Sequence, residues 1–530
     1  MARVTGAQVE TSVQAVPRGS RLDRWWLGLP DAAHRGIRIG VPLVVMLIAA
    51  VTRLWNLGHP RTLVFDETFY VKDAWSLVNL GYEATWPDDA DAGFATGATD
   101  TFTTDPAYVV HPPLGKLIIG LGMAAVGSEN PVGWRIGVAV VGILGVAAVM
   151  LLTWLLTRAW SIASVAGLLM AVDGNAIVMS RVGLLDNMVM LFALLGMIAI
   201  ALDGRTSARL LERWRQRERR SDFGPVFWRR PWLITAGVLF GLTASVKWSG
   251  LYFLAACAVY SVLSDAVLRR RAGIPFWFTG TLFKQGPASF VLTVPVALAA
   301  YLATWAGWFS TDGGYDRHWA EQPGNAWSGA LAWVPRALQS LWHYQSTIYA
   351  FHVGESRPHD YAANPLTWLF MVRPTSMYYE SVEGGTQGCA VDLCGQSITG
   401  IANPLIWWAG TAALGYLVYR VIRRRDRASG FVLLGMVAGY LPWLAYLDRT
   451  VYQFYTIAFE PYLVIALAFA LARILGSRDD PAPTRRVGLV VVGVFLALVL
   501  AVSVYFWPLW TGMQLDYGFL SSHWWLPTWR

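Results

Sequence analysis

Ile39-Gly-Val-Pro-Leu-Val-Val-Met-Leu-Ile-Ala-Ala-Val-Thr-Arg53-Leu-Trp-Asn-Leu57 is an apolar run, and Leu63-Val-Phe-Asp66-Glu67-Thr-Phe-Tyr70-Val-Lys-Asp73 follows closely behind it. About 20 apolar residues cross the hydrocarbon core of a bilayer, so the first stretch is long enough to remain as a membrane span. Ionisable groups beside hydrocarbon lose hydration and are tolerated mainly where they have a task. Two adjacent carboxylates at the mouth of a span therefore mark a candidate site. The bland alternative is an acidic surface loop of the kind made by Asp88, Asp89 and Asp91. What the rest of the chain places around Asp66 and Glu67 weighs against it.

Working outward, the 530 residues are 55% hydrophobic and 14% charged, where a soluble protein carries about a quarter charged residues. The net charge of +8 sits in particular loops rather than on one face. That distribution reports membrane topology and excludes a nucleic-acid partner. Arg18, Arg21, Arg24, Arg35 and Arg38 precede the first span and put the N-terminus in the cytosol. Residues 1–38 read as a cytosolic tail without a cleavable signal, 39–507 as the membrane domain, and 508–530 as an extracytoplasmic tail. Eleven spans are expected, near 39–57, 132–157, 161–178, 188–202, two within 232–263, 288–309, 404–421, 431–447, 455–475 and 487–507. Arginine clusters at 205–230, 269–271 and 423–425 mark inner loops. Two large outer loops, about 59–130 and 310–402, carry surface helices near 65–77, 114–126 and 331–351. The fold class is an all-α polytopic membrane protein.

On this topology Asp66, Glu67, Asp73, His111, Lys116, Arg135, Arg181, Asp186, Lys247, His343, His352, Arg373, Asp448 and Arg449 gather on the outer face. A cavity lined by carboxylates and a few cations suits an anionic substrate presented from the membrane lipids. Helical neighbours point ~100° apart, so Asp66 and Glu67 do different jobs. Arg135, near the outer end of the second span, either snorkels to headgroups or pairs with an anion, and its fork suits phosphate. Cys257 lies in an apolar run, while Cys389 and Cys394 fit a local disulfide in an oxidising compartment. No His/Cys set has zinc spacing, and no phosphate-binding loop precedes a strand.

Phe65-Asp66-Glu67-Thr-Phe-Tyr70, His111-Pro-Pro-Leu-Gly-Lys116, Arg135, Ser180-Arg181-Val-Gly-Leu-Leu-Asp186, Asn364-Pro-Leu-Thr-Trp-Leu-Phe-Met-Val-Arg373-Pro and Trp524-Trp-Leu-Pro-Thr-Trp529 together resemble the protein O-mannosyltransferases. The likeness runs from about Arg53 to the C-terminus. It implies a GT-C glycosyltransferase fold and mannose transfer from a polyprenyl-phosphate carrier to Ser or Thr of exported proteins. It further implies that Asp66 is the catalytic base, Glu67 the second acid of the motif, and Arg135, Arg373 and Lys116 the groups handling the donor phosphate. His111, Asp186, Arg181 and His352 become active-site lining. The short second outer loop leaves no room for the large β-trefoil insert of eukaryotic members, and Gly115 stands where Ala is frequent. Both features imply a bacterial, actinobacterial-type enzyme of the plasma membrane, with its site on the extracytoplasmic face and acceptors arriving through the Sec translocon.

The residue chemistry agrees. A Ser or Thr hydroxyl needs a base within reach, which one carboxylate supplies. The leaving group is already a phosphate, so the second carboxylic acid of a glycoside hydrolase has no counterpart. The requirement is positive charge at the departing oxygens, from Arg, Lys or a divalent cation; no cofactor is otherwise called for. A GT-C transferase acting on a lipid or polysaccharide acceptor is the alternative within enzymes. A transporter is the alternative outside them, but it would place ionisable groups at the bilayer midplane.

Overall fold

The structure, a computed structural model, describes residues 19–217 and 221–530. Arg18, Arg219 and Arg220 of the basic clusters, with the rest of 1–18, lie outside the described residues.

Among the described residues, eight helices are long and apolar enough to cross a membrane: Asp31–Leu54, Pro131–Thr157, Asp186–Arg215, Gly250–Arg271, Trp277–Thr304, Pro404–Arg424, Arg427–Ala445 and Ala482–Thr511. The other three expected spans correspond to Trp160–Val172, Pro231–Ala244 and Glu460–Leu475, of 13, 14 and 16 residues. These fall short of the ~20 residues a span requires, so the figure of eleven rests on them. Several helices begin Asn-Pro or Arg-Pro, where proline at the first turn gives up an N–H that has no partner anyway. Two end on an arginine in the left-handed region, Arg158 (φ 57°) and Arg425 (φ 53°), where a cation complements the helix dipole.

Burial sorts the helices. The apolar stretch of Asp186–Arg215 is 72% buried and that of Pro131–Thr157 56%, against 17% for Asp31–Leu54 and 22% for Ala482–Thr511. The first two form the centre and the last two face lipid. The expected surface helices form at Glu67–Leu80 and Leu114–Val126. Glycines let them pack closely: a Cβ at Gly120 would lie 2.7 Å from the Ala74 carbonyl, and one at Gly122 2.6 Å from that of Gly133. The third forms at Arg336–Gly354, starting later than expected because Pro335 sets its N-terminus.

Three features depart from the expected organisation. A small antiparallel sheet interrupts the otherwise helical fold: β1 (Ser376–Glu383) pairs with β2 (Leu393–Thr399), and β2 with β3 (Leu515–Asp516). Cys389 and Cys394 are disulfide-bonded across the β1–β2 turn. The C-terminal stretch is also built into the fold rather than forming a separate tail, since Trp529 is buried and donates to the Met371 carbonyl at 2.7 Å. At the other end, helices begin already at Arg21 and Asp31, inside the expected tail, and Arg485 holds Asp23 through hydrogen bonds of 3.0 and 3.1 Å.

Candidate active site

Asp66 stands at the start of the Glu67–Leu80 helix, and its setting is built by its two neighbours. Phe65 adopts a left-handed backbone (φ 48°), which is uncommon for a bulky residue and must be held in place. Edge-on packing against His359, Tyr452 and Phe454, at 6.1, 5.9 and 5.7 Å between ring centres, does so. On the other side Glu67 is fully buried. Its carboxylate takes Arg135 Nε and Nη2, both at 2.8 Å, the Gly183 N–H at 2.7 Å and the Val64 N–H at 3.0 Å. Glu67 thereby ties the loop before the helix to the Pro131–Thr157 helix and to the turn after Arg181.

Asp66 is half-buried. Burial raises its carboxyl to about pH 6, with Lys247 and His359 pulling down and Asp186 pushing up. Tyr70, one turn later, also faces this group. Lys247 Nζ bonds Asp186 at 2.6 Å. The ammonium sits over the rings of Tyr455, Phe454 and Tyr70, at 5.1, 5.9 and 6.0 Å from their centres. The hairpin turn carrying Lys247 is joined to the His111-Pro-Pro motif by the Leu114 N–H donating to the Ser245 carbonyl at 3.1 Å.

Beside this group lies a cleft lined by His111, Asp186, Lys247, Tyr252, His352, Trp443, Arg449 and Tyr455, with Trp248, Tyr349 and Val353 at its apolar edge. His352 Nε2 lies 2.8 Å from the Val110 carbonyl, which can only accept, so that nitrogen carries the proton. Its Nδ1 then accepts from Arg449 Nη2 at 3.0 Å. Burial and the Arg449 charge hold His352 down at about 4, so the ring is neutral. His111 stacks on it at 5.2 Å, and burial depresses its pKa as well. The Nδ1 of His111 and the Nε of Arg449 are buried and have no hydrogen-bond partner among the described residues.

The cations expected at a donor phosphate are committed elsewhere. Arg135 has Nε and Nη2 on Glu67, and its remaining donors meet the carbonyls of Leu57, Pro60 and Thr62 at 3.3, 3.0 and 3.1 Å. A guanidinium has five N–H groups, and this one has none to spare. Lys116 is buried, at 2.5 Å from Glu83 and 3.1 Å from the His111 carbonyl. Arg373 clasps the carbonyls of Asp360 (3.0 and 2.8 Å), Thr528 (2.7 Å) and Arg530 (2.8 Å). Arg181 caps the outer end of the Asp31–Leu54 helix through the Trp55 carbonyl at 2.7 Å and its neighbours. Of the residues expected around the site, Asp66, Asp186, His111 and His352 are brought together. The cations in the cleft wall are Lys247 and Arg449; the sequence placed Arg449 in the positive focus with Arg135 and Arg373, and Lys247 on the outer face without a role. A lysine inside an otherwise apolar, Trp-flanked hairpin was the signal for the first.

This helical fold is the GT-C fold. It superposes with a TM-score of 0.68 on a chain of the solved S. cerevisiae protein O-mannosyltransferase complex bound to the sugar donor, covering 94% of each chain at 15% identity, a likeness of architecture. Residues 107–303 match the family model described as dolichyl-phosphate-mannose-protein mannosyltransferase, and 337–529 the C-terminal four-helix region of protein-O-mannosyltransferase. Curated relatives named polyprenol-phosphate-mannose--protein mannosyltransferase are 32% identical over 92% of both chains in Mycolicibacterium smegmatis. A relative of that name in Corynebacterium glutamicum is 31% identical, also over 92% of both. The chain belongs to the protein O-mannosyltransferase family.

Proposed function

We propose that this chain transfers mannose from polyprenyl-phosphate mannose to Ser or Thr hydroxyls of exported proteins, with Asp66 as the base and with Lys247 and Arg449 serving the departing phosphate. The observation that carries the reading is the juxtaposition of a carboxyl raised to about 6 with a cleft holding Lys247 and an arginine whose Nε has no partner. The acceptor oxygen attacks the anomeric carbon, its proton passes to Asp66, and the carbon–oxygen bond to phosphate breaks with both electrons leaving on the phosphate. One in-line displacement inverts the anomeric centre. The two cations meet the charge that develops on the leaving oxygens, where fixed charges in a partly dehydrated cleft act most strongly. Tyr349 and Val353 at the cleft edge suit the first isoprene units of the carrier. Glu67 and Arg135 hold the loop that aims Asp66 rather than touching the donor. The active site lies on the extracytoplasmic face of the plasma membrane and the N-terminus in the cytosol, as the arginine-rich loops on the opposite side support. Acceptors reach it as exported, Sec-delivered chains, and a divalent cation at the phosphate is an addition the chemistry accommodates without requiring.

The test is transfer from polyprenyl-phosphate mannose to a Thr-containing peptide by the full chain in membranes. Arg449→Gln lowers kcat/KM about a hundredfold, the scale of losing one preorganised charge partner at a developing oxyanion. Equal rates for Arg449→Gln and wild type remove Arg449 from the phosphate. Transfer to glycolipid but to no peptide moves the reading to the lipid-acceptor alternative. The pH profile follows from the carboxyl: below about 6 Asp66 holds its proton and cannot accept another, so kcat/KM falls about tenfold per unit of pH on the acid side. A profile flat from pH 5 to 8 excludes Asp66 as the titrating base.

A further inference from the structure

Of the two edge strands of the sheet, β1 on the second outer loop is the longer. Strand order is β1-β2-β3, which leaves β1 outermost. The phase of its hydrogen bonding is fixed at the turn, where the Gly384 N–H donates to the Asp392 carbonyl at 2.9 Å. Antiparallel pairs alternate between bonded and non-bonded. The register Glu380↔Gln396 and Val382↔Cys394 continues that of Gly384 and Asp392, so Tyr378, Glu380 and Val382 turn their backbone groups to β2. Those of Tyr379 and Ser381 therefore point away from the sheet. Both residues are exposed, and among the described residues no turn, loop or side-chain hydrogen bond engages the N–H or C=O of either. The Glu383 carbonyl, next in the outward series, is taken by the Thr386 N–H at 3.2 Å and closes the edge at the turn. The strand is eight residues long; it carries no proline or lysine, but Glu380, Glu383 and a bulge between Ser376 and Tyr378 lie along it, so the open stretch runs from Tyr379 to Ser381.

A relay of contacts links the start of this strand to the loop that carries Asp66. The segment just before β1 holds Arg373, whose guanidinium binds the Asp360 carbonyl. His359, the neighbour of Asp360, packs edge-on against Phe65, the neighbour of Asp66. From Ser381 to Ser376 is about 17 Å of strand.

Resting on the transferase reading above, we infer that β1 is the docking edge for the acceptor: an extended segment of an exported polypeptide adds to the sheet beside Tyr379 and Ser381 while a Ser or Thr farther along it reaches Asp66. Main-chain pairing fits the task, because it holds an unfolded chain extended and reads little of its sequence. The Cys389–Cys394 bond across the turn ties the hairpin that presents the edge.

The experiment compares two acceptors with the same threonine, one of about twelve residues and one of about three, the latter about 10 Å when extended and too short to pair along β1 while its threonine sits elsewhere. In membranes containing the full chain, Ser381→Pro removes one outward N–H. It raises KM for the long peptide about tenfold and leaves its kcat, and all constants for the short peptide, unchanged. With wild-type enzyme, N-methylation of every second residue of the long peptide raises KM alike, and this arm decides if Ser381→Pro fails to fold. Wild-type KM values that are equal for both peptides, and indifferent to N-methylation, overturn the docking edge. No transfer to either peptide by wild type defeats the transferase reading instead.

Discussion

Asp66→Asn abolishes mannose transfer and leaves the protein at least as heat-stable as wild type. Both halves follow from one fact, the burial that raises the carboxyl to about 6. An amide cannot take the acceptor proton, and the loss of a positioned base costs about 10²–10⁴-fold in rate. For stability the sign is as follows. The usual carboxyl value is near 3.8 and the folded value near 6, so between these the folded chain keeps a proton that the unfolded chain has lost. Stability therefore declines as pH rises through that window and stays at the lower level above it. Asparagine never ionises, so the variant escapes the cost at pH 7. The check is paired: transfer rate in membranes, and thermal unfolding of purified protein at pH 7 and pH 5. The gain over wild type is present at pH 7 and shrinks toward pH 5. An active Asp66→Asn, with Glu67 or Asp186 variants inactive, moves the base to another carboxylate. An inactive but unfolded variant reports packing and says nothing of the base. The combination of lost activity with kept stability is what a catalytic group in a strained setting shows.

Much of this arrangement was legible in the chain because membrane folding writes it there. The long helices are apolar runs bounded by arginines, and the two helices beneath the site were readable from Phe65 onward and from Leu114 onward. Sequence position alone misled at the cations. Arg135, Lys116 and Arg373 lie beside the right motifs, but proximity in sequence does not tell whether a guanidinium faces a cavity or a row of carbonyls. Leu57, Pro60 and Thr62 supply those carbonyls to Arg135 from an irregular segment with no periodic signature. Lys247 and Arg449 reach the cleft from elements 61 and 97 residues away from their partners Asp186 and His352, a closure that only the tertiary fold makes. The sheet went unread because β2 is Leu-Cys-Gly-Gln-Ser-Ile-Thr and its partner β3 is two residues long, too little for a period-two pattern to declare itself.

Glu67→Gln and Arg135→Ala, by contrast, lose the folded protein. The pair is fully buried, with 0% and 1% of the side chains exposed, and every lone pair direction of the carboxylate meets a donor. Removing one partner strands the other charge, a loss of about 3–5 kcal/mol, comparable to a large share of a domain's total stability. Arg135→Ala also frees the carbonyls of Leu57, Pro60 and Thr62, which lie on the segment leading to Asp66. The expected result is strongly reduced accumulation in the membrane and a lowered unfolding temperature, with activity falling in step. Replacing both at once, Glu67→Gln with Arg135→Met, leaves no unpaired charge and recovers part of the stability, so the two losses are strongly non-additive. Activity does not return with it, because the loop that aims Asp66 is no longer tied to Gly183 and Arg135 in the same geometry. The rival role, a direct hold on the donor phosphate, predicts something else. Arg135→Ala would then fold normally, unfold at the wild-type temperature and show a raised KM for polyprenyl-phosphate mannose alone. Measuring accumulation, unfolding temperature and donor KM on the same preparations separates the two, and additive losses in the double variant would equally refute the clamp.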